Sequence, residues 1–187
     1  MKDCLIITNQ NAITYKEVFP LLKNNILFQG NTKPKEYTAP DGSVIKSGDS
    51  IWFTTFLVIR TKPLAMTKCY TGREDKYPVY DNYDAIEIGH YTRSGKWEGS
   101  LDELPYDYDG VMGVPITFLG QYNPEQFEIV NLSRYITDSR GMSKEFVDEY
   151  YRQGNTGQIC EGHPDLCFYD KGKAVVPYMR VLIRRKQ

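Results

Sequence analysis

The chain has 187 residues, of which 41% are hydrophobic and 25% charged, and these values predict one globular domain over residues 1–187. The formal net charge of −1 excludes the class of strongly basic proteins that bind nucleic acid through their overall charge, since phosphate contacts require basic residues. No stretch approaches the roughly 18 apolar residues of a membrane span. The four cysteines indicate reduced thiols, so we expect a cytoplasmic protein with no membrane partner.

The N-terminal third of the chain alternates between strand and helix patterns. An apolar run at residues 4–8 predicts a strand, Thr14 followed by a glutamate three residues on predicts a helix start, and residues 26–28 predict a second strand. Residues 50–60 form the strongest strand pattern, rich in β-branched and aromatic side chains. This order predicts an α/β fold in which residues 1–60 form part of a Rossmann-like sheet.

The rest of the chain, residues 61–187, carries short strand patterns separated by many turns. Ser143 is a suitable N-cap for a short amphipathic helix. Glycine, asparagine, aspartate and proline punctuate the segment that follows this helix. We predict strands near 84–88 and 115–119, a helix at 143–153, a loop excursion near 154–174 and a final strand at 174–185.

One cluster in the predicted loop has the residue types of a metal site. Cys160, His163 and Cys167 are spaced as C-x2-H-x3-C and supply three tetrahedral ligands, with Asp165 or Cys69 as a fourth. No paired C-x-x-C module is present, so ordinary loop thiols are the favoured interpretation. We therefore assign no metal and keep these three residues as weak candidates.

Several segments together resemble EcoRI-type adenine-specific DNA methyltransferases. They occur in that family's order and at plausible spacings, and the GVMGVPITFL block is far more specific than a single short motif. The resemblance implies the later strands of a methyltransferase-like sheet, followed by a β-rich target-recognition region. The segments are NQNAITYKEVFPLLKNN (9–25), WFTTF (52–56), YPVYDNYDAIEI (77–88) and YDGVMGVPITFLGQYNPEQFEIV (108–130).

The catalytic elements that such an enzyme needs are missing from this sequence. An adenine methyltransferase binds S-adenosylmethionine at a Gly-containing turn and holds the flipped adenine with a polar-Pro-Pro-aromatic loop, Asn-Pro-Pro-Phe in this family. The sequence contains no Pro-Pro dipeptide, and residues 123–127 (NPEQF) place the aromatic residue at the wrong offset. We assign no catalytic or cofactor-binding residue, and expect a C-terminal portion that binds no cofactor and is inactive alone.

The resemblance implies pocket-wall residues in the N-terminal third. Asn9 and Asn11 fall at the carboxyl end of the first predicted strand, the edge where open sheets bind ligands. The alternative is that they shape the strand-to-helix turn. Trp52, Phe53 and Thr54 lie in the strand that flanks the target-base pocket in related enzymes, and burial in the core is the alternative for this strand.

Further candidates for DNA contact lie in the second part of the chain. Asp81, Asn82 and Tyr83 form a polar and aromatic cluster, and amide side chains are suited to adenine edges. Arg184 and Arg185 are candidates for phosphate contact near the C-terminus. The alternatives are a structural role in turns for the cluster and a solvated basic terminus for the arginines.

These expectations predict two kinds of partner. Double-stranded DNA is the partner in the full enzyme, and an N-terminal catalytic chain or self-association covers the open sheet edge. Two alternative functions stay open from the sequence: a non-catalytic DNA- or protein-binding module, and an inactive truncated remnant.

Overall fold

The structure, a computed structural model, describes residues 3–30, 32–56, 63–91 and 97–186. These residues group into two compact units. The first consists of residues 1–64 and 117–124, and the second of residues 65–116 and 125–187. The predicted change of character after residue 60 falls at 57–62, which lie outside the described residues, so that boundary stays a prediction.

The first unit contains a three-stranded sheet and a separate hairpin. Its elements are β1 (Leu5–Asn9), α1 (Phe19–Lys23), β2 (Phe28–Gln29), β3 (Glu36–Thr38), β4 (Val44–Lys46) and β5 (Ser50–Thr54), with 3-10 helices at Gln10–Thr14 and Ile116–Gly120. Strand β5 lies between β1 and β2 and is antiparallel to both. Therefore β1 and β2 run parallel to each other and are joined through α1. Strands β3 and β4 pair across a turn at Gly42, whose φ of 83° favours glycine.

This arrangement confirms a mixed α/β fold but not a Rossmann-like sheet, because every neighbouring pair of strands in the first unit is antiparallel. The helix start predicted at Thr14 is wrong. Thr14 lies inside the 3-10 helix, and its hydroxyl donates to the Asn11 carbonyl at 2.8 Å. Helix α1 begins only at Phe19, with Pro20 in its first turn, where a missing N–H costs nothing.

Strand β1 exposes apolar side chains on both of its faces. Leu5, Ile6 and Ile7 are 59%, 49% and 41% exposed, and successive side chains of a strand point to opposite faces. By contrast, Ile51 and Phe53 of the neighbouring strand β5 are buried. Among the described residues, β1 pairs on one side only, so its second edge is open.

The second unit contains a mixed four-stranded sheet and two small hairpins. The sheet has the order β10-β13-β9-β6, in which only β6 and β9 are parallel neighbours. The hairpins pair β7 with β8 and β11 with β12. The elements are β6 (Ile86–Glu87), β7 (His90–Tyr91), β8 (Trp97–Glu98), β9 (Met112–Pro115), β10 (Phe127–Leu132), α2 (Lys144–Arg152), β11 (Phe168–Asp170), β12 (Lys173–Val175) and β13 (Arg180–Arg185), with 3-10 helices at Glu74–Lys76, Leu101–Glu103 and Ser133–Tyr135.

A buried ion pair connects two strands of this sheet. The Arg180 guanidinium on β13 donates from Nε and Nη2 to the Glu87 carboxylate on β6, both at 2.9 Å. The Tyr80 hydroxyl donates to the same carboxylate. Burial and the neighbouring Glu87 charge raise the pKa of Tyr80 well above its usual value. A Cβ at Gly113 would lie 1.9 Å from the Tyr80 hydroxyl oxygen, so this glycine makes room for the network.

The predicted helix of the second unit is confirmed as α2, whose N-cap Ser143 accepts a hydrogen bond from the Phe146 amide at 3.1 Å. The final strand is also confirmed, although it starts only at Arg180. The predicted excursion at 154–174 begins as a loop, but its end forms the β11–β12 hairpin, which packs its apolar side chains against the core. No helix in the described ranges combines the length and apolarity needed to cross a membrane.

The buried pair predicts a large difference between two arginines of one strand. Replacing Arg180 by Met leaves the Glu87 carboxylate buried without its cation, and we expect the free energy of unfolding to fall by about 3–5 kcal/mol. Arg184 pairs with Glu128 in solvent, so Arg184→Met is the matched control, with an expected loss of about 0–1 kcal/mol. Urea denaturation followed by circular dichroism measures both values. Equal losses in the two variants would contradict the role assigned to the pair.

Candidate functional site

A polar turn follows strand β1 at its carboxyl end. The Asn9 side chain accepts a hydrogen bond from the Asn11 amide at 2.8 Å and so caps the 3-10 helix. Both asparagines are exposed. The turn role that the sequence left as an alternative is therefore present for Asn9, and both side chains remain accessible at this edge.

Gln10, between these two asparagines, was missed by the sequence analysis. Its side chain is only 6% exposed, and its Oε1 accepts from Lys33 Nζ at 2.7 Å. A lysine only donates, so the amide atom that contacts it is the acceptor Oε1. The second amide atom of Gln10 is therefore the donor Nε2, which is buried and has no partner among the described residues. An unpaired buried donor costs roughly 1–3 kcal/mol, so this atom is a candidate contact for a ligand. Its only signal in the sequence is its position after an apolar strand.

The predicted β5 residues mostly serve the core of the first unit. Phe53 is buried, and the Thr54 hydroxyl donates to the Cys4 carbonyl at 3.0 Å. Trp52 is half-buried and lies against Gly30. In the register of the sheet Asn9 lies opposite Ser50 and Thr54 opposite Leu5, so Thr54 is about 13 Å along the strand from the Asn9 end. The structure therefore does not bring Asn9 and Thr54 together.

In the second unit, Asn82 is a structural residue. It is almost fully buried, its Nδ2 donates to the Asp165 carbonyl at 2.8 Å, and its Oδ1 accepts from the Cys167 amide at 3.2 Å. Asp81 is exposed, while Tyr83 is half-buried against the core, which raises its pKa. Asn82 therefore fixes a loop from within, and contact between its amide and a DNA base would require that loop to open.

The two predicted phosphate ligands are paired with carboxylates. Arg184 Nη1 lies 3.0 Å from Glu128 Oε1, and Arg185 Nη2 lies 2.6 Å from Asp109 Oδ1. A phosphate would have to compete with these carboxylates for the same donors. The geometry therefore weakens the assignment of both arginines to phosphate contact.

The metal candidates do not converge. In the described part of the chain, no group of three or more His, Cys, Asp or Glu side chains is placed to hold a metal ion. Cys167 is buried, whereas Cys160 is exposed. The loop is held instead by backbone hydrogen bonds from Met142 to the His163 carbonyl and from Gly162 to the Met142 carbonyl, at 2.9 and 2.8 Å.

Two cavities of different chemistry lie in the described residues, one in each unit. The first, of about 350 Å³, is almost wholly apolar and is lined by β1, β5 and the segment around α1. The second, of about 510 Å³, is as polar as it is apolar and is lined by residues 133–134, 163–166 and 177–179. Neither cavity was predictable from the sequence, although residues 163–166 belong to the loop that carries the metal candidates.

The Glu87–Arg180 pair was also missed, although the sequence carries a signal for it. Each residue is a single charge within an otherwise apolar strand pattern, in AIEI (85–88) and MRVLI (179–183). A charge in such a run is rarely buried unless it is paired. Two lone charges of opposite sign therefore indicate a buried ion pair, but they do not indicate which strands are neighbours.

Together, these features define a mixed α/β protein with a polar turn at the end of a strand and a polar cavity. Comparisons with known proteins identify its family. A family model described as the adenine-specific methyltransferase EcoRI matches residues 1–186. The chain belongs to this family of adenine-specific DNA methyltransferases. The resemblance inferred from the sequence segments is thus confirmed.

Individual relatives agree with this assignment. The type II methyltransferase M.EcoRI of Escherichia coli is 37% identical over 81% of this chain and 49% of its own length. M.MpnI of Mycoplasma pneumoniae and M.MgeORF184P of Mycoplasma genitalium are 31% and 30% identical over 100% of the chain and 57% and 58% of their own lengths. The chain therefore spans about half the length of the curated relatives it matches. No solved structure matches it.

The turn after β1 and the cavity beside it do not fit S-adenosylmethionine, the methyl donor of this family. The turn after β1 consists of Asn9, Gln10 and Asn11 and contains no glycine that would let the backbone approach a cofactor. The neighbouring cavity is lined almost entirely by apolar atoms and offers no carboxylate for a ribose. No chemical step is therefore assigned to the cofactor at these residues.

The two loop cysteines differ in environment, which predicts a difference in reactivity. Burial, with a smaller contribution from the Asp81 charge, raises the pKa of Cys167 to about 12. Near pH 8 the Cys167 thiol is therefore protonated as well as inaccessible. We expect iodoacetamide to modify Cys160 in the native protein and Cys167 only after denaturation, as measured by peptide mass spectrometry.

Zinc serves as the control for this labelling experiment. Added Zn²⁺ should leave the modification rate of Cys160 unchanged. Protection of Cys160 by zinc would restore the metal site that the sequence raised as a weak candidate.

Proposed function

We propose that residues 1–187 form the target-recognition and pocket-wall portion of an adenine-specific DNA methyltransferase that acts on double-stranded DNA. The S-adenosylmethionine pocket and the catalytic loop are supplied by polypeptide outside these residues. The family assignment supports this proposal, as do the coverage of about half of each relative and the absence of a Pro-Pro dipeptide. On this proposal the chain alone transfers no methyl group.

The observation that carries the proposal is the exposure of strand β1. A strand that is apolar on both faces is typical of a sheet covered on both sides. Here Leu5, Ile6 and Ile7 are all exposed, and the second edge of β1 is open. Burying each of these side chains is worth about 1.5–3 kcal/mol. The catalytic portion is therefore proposed to pair with this edge and cover both faces.

The apolar cavity beside β1 supports the same docking site. Ile6 on β1 contributes to its wall together with Tyr15, Val18 and Ile26 from the α1 side. A cavity of about 350 Å³ is large enough for several apolar side chains. Side chains of the docked portion would fill it, which makes the apolar contact continuous with the strand edge.

The turn after β1 is proposed as a wall of the adenine pocket. Enzymes that modify a base flip it out of the duplex and contact its edge by hydrogen bonds. Asparagine and glutamine pair well with adenine, since an amide offers both a donor and an acceptor. The exposed Asn9 and Asn11 side chains and the unpaired Nε2 of Gln10 lie at this edge. Trp52, on the neighbouring strand, is half-buried and is the remaining β5 candidate.

Reconstitution tests the proposed function. The purified chain, mixed with duplex DNA and tritiated S-adenosylmethionine, should incorporate no label. Addition of a polypeptide that carries the part of M.EcoRI not matched by this chain should give both a complex in gel filtration and labelled adenine. A mixture that forms no complex and transfers no methyl group would contradict the proposal.

A pair of lysine substitutions tests where the two portions dock. Ile6→Lys places a charge on the apolar face of β1, and we expect association in sedimentation velocity to weaken at least about a hundredfold, because the lysine cannot be desolvated. Val44→Lys on the β3–β4 hairpin is the matched control, since Val44 is 59% exposed and belongs to a sheet separate from that of β1. Equal association of both variants would place the interface elsewhere.

The alternative function, a non-catalytic DNA-binding module, is favoured by one feature, the polar cavity of the second unit. A module of this kind would bind DNA without any companion polypeptide. Salt-dependent binding by the chain alone, without methyl transfer in any mixture, would favour it over the methyltransferase portion.

A further inference from the structure

The polar cavity of the second unit has no role yet in the methyltransferase portion proposed above. It has a volume of about 510 Å³ and is lined from three directions. Ser133 and Arg134 follow strand β10, His163 and Asp165 belong to the loop before β11, and Tyr178 lies just before β13. All five residues carry polar side chains.

The buried arginine next to this cavity fixes two of its walls. Arg180 Nη1 donates to the Tyr178 carbonyl at 2.8 Å, and the Arg180 amide donates to Ser133 Oγ at 3.0 Å. Because the Arg180 guanidinium is itself held by Glu87 in the core, both walls are tied to the central sheet. This part of the cavity is therefore preorganised.

The third wall is anchored by another buried polar residue of the unit, Asn82. Asn82 Nδ2 donates to the Asp165 carbonyl at 2.8 Å, and Asn82 Oδ1 accepts from the Cys167 amide at 3.2 Å. The Met142 amide donates to the His163 carbonyl at 2.9 Å. Two buried polar networks therefore converge on one cavity, although Arg180 and Asn82 themselves are not lining residues.

The lining offers several donors and one acidic group. Arg134 is exposed, and no carboxylate lies within ion-pair distance of it among the described residues, in contrast to Arg184 and Arg185. His163 Nδ1 accepts from the Asp165 amide at 3.3 Å, which leaves its Nε2–H as a donor. The one acidic group is the Asp165 carboxylate, whose Oδ2 lies 3.8 Å from His163 Nδ1.

We propose that this cavity binds the phosphate backbone of a DNA strand, with Arg134 as the main phosphate ligand and His163 as a second donor. The Tyr178 ring, 61% exposed at the rim, provides a flat surface for the sugar or an adjacent base. The inference rests on the proposed function, since it requires DNA as the substrate. A phosphate site of this kind is compatible with the net charge of −1. It requires only the guanidinium of Arg134 and one preorganised donor, His163, and no overall positive charge.

Nuclear magnetic resonance of the isotope-labelled full chain tests this inference, since it detects weak binding. Titration with a duplex oligonucleotide at low ionic strength should shift the signals of residues 133–134, 163–166 and 177–179. We expect Arg134→Gln to weaken binding about tenfold and to reduce the slope of log affinity against log salt by about one. Arg152→Gln is the matched control, because Arg152 is an exposed arginine of the same unit that pairs with Glu149, and its affinity should stay within about twofold.

Other outcomes separate this inference from the function on which it rests. DNA-dependent shifts confined to other residues would overturn the cavity assignment and leave DNA as the substrate. Equal shifts with inorganic phosphate would show a general anion site and overturn the assignment to a DNA strand. No shift with either ligand would overturn the inference, whereas the methyltransferase proposal would still be decided by reconstitution.

Discussion

The buried Glu87–Arg180 pair is the interaction on which the second unit depends. It joins β6 to β13 within a sheet whose strands are distant in sequence, and the Tyr80 hydroxyl completes it. A buried pair is costly to desolvate, so it stabilises only when its remaining hydrogen bonds are satisfied. The guanidinium of Arg180 satisfies a further donor at the Tyr178 carbonyl, the Arg180 amide donates to Ser133 Oγ, and both bonds shape the polar cavity. Arg180 therefore links the core of the second unit to the walls of the cavity.

The first unit, in contrast, leaves part of its apolar surface exposed. Strand β1 has an open edge and exposed apolar side chains on both faces, beside a cavity that is itself apolar. Exposed strands of this kind favour pairing with another segment. Under the proposed function, the polypeptide that corresponds to the unmatched half of each relative covers this surface. Under the two proposals, the first unit docks on the catalytic portion and borders the target adenine, and the second unit contacts the DNA backbone.

The sequence predicted the candidate site only in part, for reasons visible at particular residues. The position of Asn9 and Asn11 at the end of β1 was predictable, because polar residues after an apolar strand mark its end, while their contact with a base stays a prediction. Asn82 has the same chemistry but serves as a buried anchor, since its loop folds back over it. Arg184 and Arg185 were predicted from charge alone, and only the sheet register shows the carboxylates that neutralise them.

The sequence by itself determined the family, the α/β class, the capped helix α2 and the lack of a catalytic Pro-Pro loop. These features depend on local composition, on spacing along the chain or on long specific blocks. Only the tertiary structure decided that β5 lies antiparallel between β1 and β2, that Arg180 reaches Glu87, and that the polar cavity exists. Each of these features depends on which distant segments become neighbours. The pattern of apolar and polar residues along the sequence indicates burial and periodicity, but it does not indicate which segment packs against which.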